Sequence, residues 1–330
     1  MINKKILFIH PGLSTFVRND LEFIKREFSS KQFHYHSSSS FIRNLFEQIR
    51  LIFWFTYNIW WCDYVYIWFS DYHSFFPILI SKLLKKKSFI VIGGYEVSYF
   101  YKIGYGSRSN PFRFFLTKYS IKNASLNLPV SKFVDVEMKK MYGNVESAVI
   151  YNGVNCAKNY SKIKNRKGFL TVAIFDDDQR YKLKGIDLFI ETASYFPNEE
   201  FVIIGCDKNF IRNIHYPENV TIYPKVSPDE LSRFYLEAKY YCQFSLVESF
   251  GLAVVEAMSY GCIPIVVDRG ALKEIIQGHG IILQNRSIND IIENIKLIIN
   301  KKFDTNSIVQ HTSKFSLEIR NTIQRKIMVG

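Results

Sequence analysis

The chain has 330 residues, 48% hydrophobic and 22% charged, enough for two ordinary domain cores and unlike a disordered or fibrous protein. Its five cysteines, Cys62, Cys156, Cys206, Cys242 and Cys262, stand singly with no Cys-x-x-Cys pair, which argues against a disulfide framework or structural zinc and suits a reducing cytoplasm. The formal charge of +13 is uneven: residues 1–155 hold 20 Lys/Arg against 10 Asp/Glu, net +10, and the remainder 23 against 20, net +3, so the first half suits an anionic partner.

"MINKKILFIHPG" carries two lysines and a short apolar run that ends in Pro-Gly, which reads as a first strand (5–10) rather than a signal. A helix over 18–28 and a strand over 32–37 follow. His34 and His36 share a face of that strand, but two imidazoles without a third ligand nearby favour a surface strand over a metal site. His10 is left open between a structural role and one at a cleft mouth.

Residues 41–54 are amphipathic at helical spacing, with Phe41, Leu45, Phe46, Ile49, Ile52 and Phe53 on one face and Arg43, Glu47 and Arg50 on the other. The run "LIFWFTYNIWW" is far short of the ~20 apolar residues that span a bilayer. Two readings stay open: a core helix, or an interfacial membrane helix near the basic "KLLKKK" at 82–87. Further strands are expected at 64–69, 88–93, 125–130 and 147–152, with a helix over 131–142. Residues 156–168 are polar and basic and read as a linker closed by Gly168.

The alternation then restarts, with strands at 169–175, 200–205, 220–225, 240–245, 263–268 and 280–284. Two doubly wound α/β domains emerge from this pattern, with ligands expected beyond the carboxyl ends of the strands and in the shared cleft. After the strand at 240–245 a helix should start near Ser249 to Gly251, with Ser249 as cap, and stop at Gly261. Its free N–H groups suit a phosphate. Glu248 and Glu256 flank them, within about 80° of one another if both were helical, and can accept bonds from sugar hydroxyls.

"ESFGLAVVEAMSYGCIPIVV" (248–267) resembles the donor-binding signature of retaining glycosyltransferases of the family-4 type, with its Glu-x7-Glu spacing. The resemblance extends to "YNGVN" (151–155), "KGIDLFIETA" (184–193), "SPDELSRFYLEAKYY" (227–241) and "DRGALKEII" (268–276). It implies the GT-B fold, two doubly wound Rossmann-like domains facing a central cleft. These would be an acceptor-binding domain (1–155), a nucleotide-sugar-binding domain (156–314) and a C-terminal helix (315–330) crossing back to the first.

Carried across, the resemblance puts Lys184 on the donor pyrophosphate with the N–H groups of Phe250, Gly251 and Leu252, Glu248 on the transferred sugar and Glu256 on the ribose. Arg180, or Lys182 in its stead, takes the place of a second cation. Gly12 would allow close approach of the ligand, and Ser14 or Thr15 would donate to it. Gly93 and Glu96 stand where the family often has a histidine and an aspartate near the reacting sugar, a departure that leaves the sugar open. Asp176, Asp177 and Asp178 read as loop acidity rather than a metal motif.

The implied chemistry is a retaining, metal-independent transfer of a hexose from UDP- or GDP-hexose, with no other cofactor, to a glycan or lipid-linked acceptor of cell-surface polysaccharide or glycolipid assembly. The chain would be cytoplasmic, at the inner membrane face through its basic aromatic first domain, without nucleic acid. A sugar-nucleotide epimerase of the same fold and a non-catalytic binder of nucleotide sugar or membrane are the alternatives.

Overall fold

The computed structural model describes residues 2–38, 40–100, 104–156, 165–212, 214–299 and 301–329. The chain divides into two units, Met1–Gly153 with Leu317–Gly330, and Val154–Ser316. Most of the linker expected at 156–168, namely 157–164, lies outside the described residues.

The first unit runs β1 (Ile2–His10), α1 (Thr15–Glu27), β2 (Phe28–His34), α2 (Phe41–Asn58), β3 (Tyr64–Trp68), α3 (Tyr72–Leu83), β4 (Lys87–Ile92), α4 (Pro111–Asn123), β5 (Leu126–Pro129) and α5 (Lys132–Tyr142). Its sheet is parallel, in the order β2-β1-β3-β4-β5. β3 is buried along its whole length, as the apolar run YVYIW requires of a central parallel strand. Side chains set the helix starts: Ser40 caps α2, Asp71 forms a capping box with Ser74 at α3, Asn110 with Pro111 starts α4, and Ser131 caps α5.

The second unit runs β6 (Lys167–Phe175), α6 (Asp178–Lys184), α7 (Ile186–Ser194), β7 (Phe201–Cys206), α8 (Lys208–Ile211), β8 (Val220–Tyr223), α9 (Pro228–Glu237), β9 (Ala238–Gln243), α10 (Leu252–Ser259), β10 (Ile263–Val267), α11 (Leu272–Ile276), β11 (Ile281–Leu283), α12 (Ile288–Ile298) and α13 (Thr305–Thr312). Its parallel sheet has the order β11-β10-β9-β6-β7-β8. The core joins both faces of this sheet through residues such as Phe169, Phe201, Tyr240, Ile265 and Val266. The last helix, α14 (Leu317–Val329), belongs to the first unit.

Both sheets reverse their direction of winding once, between β1 and β3 in the first unit and between β6 and β9 in the second. At such a switch point the two loops leaving the carboxyl ends part to opposite sides and open a crevice.

Two expectations are corrected, and one reading left open is narrowed. β2 spans Phe28–His34 rather than 32–37, because α1 passes directly into an extended Phe28 and the edge strand carries the polar Ser29, Ser30, Lys31 and Gln32. Residues 147–152 form no strand beyond a bridge of Ser147 to Asn127. The segment does bond along β5, with Ala148 N–H on Asn127 O and Ile150 N–H on Pro129 O, but Pro129 has no N–H to return and the ladder breaks. Third, in the helix expected over 41–54 the stripe of Leu45, Phe46, Ile49 and Phe53 faces solvent, while Leu51 and Phe55 are buried. A core reading of that stripe does not hold.

Candidate functional site

In the second unit the switch point brings together the segment after β6, ending in α6 and Lys184, and the loop 244–251 after β9. Leu246 N–H donates to Leu183 O at 2.8 Å and ties the two together. Lys184 Nζ then lies 2.7 Å from Glu248 Oε1. Ser245 Oγ donates to the same oxygen at 2.9 Å and Gln243 Nε2 at 3.2 Å, while Oε2 takes none of these bonds. The Glu248 side chain is only 13% exposed and Lys184 32%, so the pair is sheltered yet reachable from solvent.

Arg286 holds this arrangement from behind, donating from Nε to Phe244 O at 2.7 Å and from Nη2 to Lys182 O at 3.0 Å. It therefore joins the end of α6 to the loop after β9. Nothing in the sequence pattern marked Arg286, Ser245 or Gln243, because each acts on a partner that only folding brings near.

α10 starts after Gly251, which is left-handed at φ 85° and ψ 54°. Glycine alone adopts that conformation without penalty, and a Cβ there would meet Leu272 Cδ2 at 2.8 Å. Ser249, expected as the cap, lies outside this turn, and no side chain caps the helix. The first backward helical bond is from Val255 N–H to Gly251 O, so the N–H groups of Leu252, Ala253 and Val254 have no acceptor within the helix. They form a positive end suited to an anion. Phe250 is buried and anchors the turn edge-on against Phe315 at 5.5 Å.

Glu256 lies one turn further along α10 and receives a hydrogen bond from Tyr235 Oη at 3.3 Å. Burial pushes its carboxyl up to about 7, a rise the Tyr235 bond partly offsets. Arg180 Nη1 is drawn to Asp176 Oδ1 at 2.7 Å, and Asp177 caps α6 through Arg180 N–H. The three aspartates thus serve the start of α6. Among the described residues no three His, Cys, Asp or Glu side chains are grouped to hold a metal ion.

In the first unit the switch point lies between the loops after β1 and β3. A Cβ on Gly12 would meet nothing within 4 Å, so the backbone there is open to a ligand. Ser14 is the cap residue of α1 by backbone, yet its side chain makes no cap bond; Ser14 and Thr15 are both exposed. His10 is buried, stacks on His34 at 4.9 Å, and burial lowers it to about 4, so it is neutral at ordinary pH.

A Cβ on Gly93 would fall 2.2 Å from Phe69 Cε1. Phe69, itself at φ 64°, thus fills the space into which a histidine at position 93 would grow. Glu96 is buried and accepts N–H bonds from Ser70 at 3.0 Å, Gly94 at 2.8 Å and Gly93 at 3.4 Å. Its carboxylate holds the loops after β3 and β4 together.

Residues 164–315 match the family model described as glycosyl transferases group 1, so this stretch carries a domain of that family. The chain is 26% identical over 246 residues to the O-antigen chain mannosyltransferase RfbU of Salmonella typhimurium strain LT2, a match covering 69% of this chain and 65% of that protein. In fold it is similar to sucrose-phosphate synthase from Thermosynechococcus elongatus, with TM-score 0.79, 12% identity and coverage of 99% and 98% of the two chains. An Anabaena protein solved with UDP and glucose gives TM-score 0.73 at 13% identity, covering 99% of this chain and all of the other. The fold is that of the GT-B glycosyltransferases.

Proposed function

We propose, starting from a chain whose residues 164–315 carry a glycosyl transferases group 1 domain, that the protein is a retaining, metal-independent hexosyltransferase. The donor is a nucleotide sugar, UDP- or GDP-hexose, and the acceptor a glycan or lipid-linked glycan of cell-surface polysaccharide or glycolipid assembly. The observation that carries the reading is the 2.7 Å contact of Lys184 with Glu248 beside the uncapped start of α10. The ammonium of Lys184 and the sheltered carboxylate of Glu248 meet on the loop that leads directly into the uncapped start of α10, with its three N–H groups. An O-antigen mannosyltransferase among its relatives supports the class of acceptor.

In this reading the diphosphate of the donor lies against Lys184 and the N–H groups of Leu252, Ala253 and Val254. As the glycosidic C–O bond breaks, negative charge gathers on the departing diphosphate, where the ammonium and the helix start already stand to stabilise it. The acceptor hydroxyl forms the new bond on the same face of the sugar, and its proton passes to the departing phosphate. Glu248 presents Oε2 to the hydroxyls of the transferred sugar, with Ser245, Gln243 and Lys184 holding Oε1. Glu256 accepts from the ribose diol.

The test is a ligand-stabilisation screen with UDP, GDP, ADP and their hexose conjugates, followed by product analysis with glycan acceptors. A saturable shift of the unfolding midpoint, lost in Lys184→Ala, is expected. Release of nucleoside diphosphate only when acceptor is present marks a transferase; sugar isomerisation without acceptor would replace this reading with an epimerase. No shift with any donor would overturn it.

A further inference from the structure

Helix α2 turns an apolar stripe to solvent. Ile42, Phe46, Ile49, Phe53 and Tyr57 are 71%, 72%, 43%, 72% and 83% exposed. At about 100° per residue they fall within an arc of about 80°, opposite the buried Leu51 and Phe55. Just past the helix end, Trp60 is 72% exposed.

The charge around this stripe is one-sided. The connections β2 to β3, β3 to β4 and β4 to β5 all run toward the β5 edge, so right-handed crossovers place α2, α3 and α4 on one face of the sheet and α1 on the other. α2, α3 and α4 carry Arg43, Arg50, Lys82, Arg113, Lys118 and Lys122 against Glu47, which pairs with Arg50, and Asp71 at the start of α3, which pairs with Arg113, and Lys85, Lys86 and Lys87 follow α3 directly. α1 and α14, which pack together, carry six basic residues against four acids. At the far end of α2, Lys31 Nζ bonds Asn58 Oδ1 at 2.8 Å and lies 4.6 Å over the Trp61 ring, with Lys5 over the same ring at 5.6 Å.

The geometry points to an anionic membrane surface as the occupant of this face. α2 lies in the bilayer plane, its Ile and Phe side chains seat at the acyl boundary, and Tyr57 and Trp60 keep their polar edges at headgroup level. The surrounding lysines and arginines meet lipid phosphates. A second copy of the chain is disfavoured as occupant, because it would bring two basic faces together. No helix among the described residues is long and apolar enough to cross a membrane, so the contact is peripheral. The surface uses no residue of the sugar-transfer site, and its failure would leave that reading intact.

The full chain is sedimented with phosphatidylcholine vesicles and with vesicles containing about a third phosphatidylglycerol. It is expected to pellet with the anionic vesicles at least tenfold more tightly than with the neutral ones. Phe46→Gln/Phe53→Gln should lose at least tenfold in that affinity while keeping the wild-type unfolding midpoint, since both residues are exposed. Equal binding by this variant, or absence of binding by the wild type, would overturn the proposal. So would a wild-type dimer that the variant converts to monomer, which would assign the face to a second copy.

Discussion

Arg320 and Asp20, separated by 300 positions, are joined by two hydrogen bonds, Nε to Oδ1 at 2.7 Å and Nη2 to Oδ2 at 2.8 Å, with both side chains almost wholly buried. Tyr66 Oη and Trp68 Nε1 each donate to Asp20 Oδ2 at 2.9 Å, and Arg320 Nη1 reaches the carbonyls of Ile150 and Tyr151. The network fastens α14 onto α1 and β3 within the first unit. Neither charge is tolerable in the interior without the other.

Arg320→Met should therefore leave an uncompensated buried carboxylate and destabilise the first unit by roughly 3–5 kcal/mol. Arg320→Met/Asp20→Asn should recover a substantial part of that loss, because the second change removes the orphaned charge. Urea unfolding of both variants measures it, and a double variant no more stable than the single one would contradict the argument.

Lys184→Ala is expected to lower kcat/KM for the donor by on the order of 10²–10³, the usual effect of removing one preorganised stabiliser of developing charge. Ser245→Ala should cost less, since Glu248 Oε1 keeps Lys184 and Gln243. Steady-state rates on the donor found by the stabilisation screen check both, and a Lys184→Ala enzyme with wild-type kcat/KM would refute the site.

Gly93→Ala should destabilise by roughly 1–3 kcal/mol, because a Cβ there overlaps the Phe69 ring. The same change in a Phe69→Gly background should cost little, since the ring is gone and glycine is at ease at positive φ. A double-mutant cycle on unfolding free energy reads the coupling, and additive effects would show that Phe69 does not fill that space.

On the proposed role of Glu256 at the ribose, its raised carboxyl is expected to make donor binding depend on pH. Hydrogen bonds from a ribose diol favour the carboxylate, so KM for the donor should fall as pH rises toward about 7 and flatten above it, with a slope of about tenfold per pH unit on the acid side. Stability runs the other way: a carboxyl raised on folding binds its proton more tightly in the native state, so its contribution weakens as pH climbs from about 4.5 to about 7. Glu256→Gln should abolish the slope in KM; a wild-type profile in that variant would remove Glu256 from the donor site.

Strands with both faces buried were legible because their residues are apolar without interruption, as in β3 and in β10 with IPIVV. β2 was misplaced for the converse reason, since an edge strand needs few apolar residues. Residues 147–152 carry strand-forming residues, and only the partner position of Pro129 denies them a ladder. Lys184, Glu248, Gly251 and Glu256 were legible as a pattern, but Gln243, Ser245 and Arg286 were not, because hydrogen bonding across a switch point leaves no periodic trace. Nor was Phe69, whose positive φ and encroachment on Gly93 depend on the turn that ends β3.

The sequence by itself determined that the chain is doubly wound α/β and where a glycine-led helix start leaves its first N–H groups without an acceptor in the helix, since hydrophobic period and a glycine-led turn are local properties. Only the tertiary structure decided which face of α2 meets solvent. Beside the charged Arg43, Glu47 and Arg50 that helix carries two apolar strips, and a hydrophobic side chain carries no label for core or surface until folding buries Leu51 and Phe55 and leaves Phe46 and Phe53 bare.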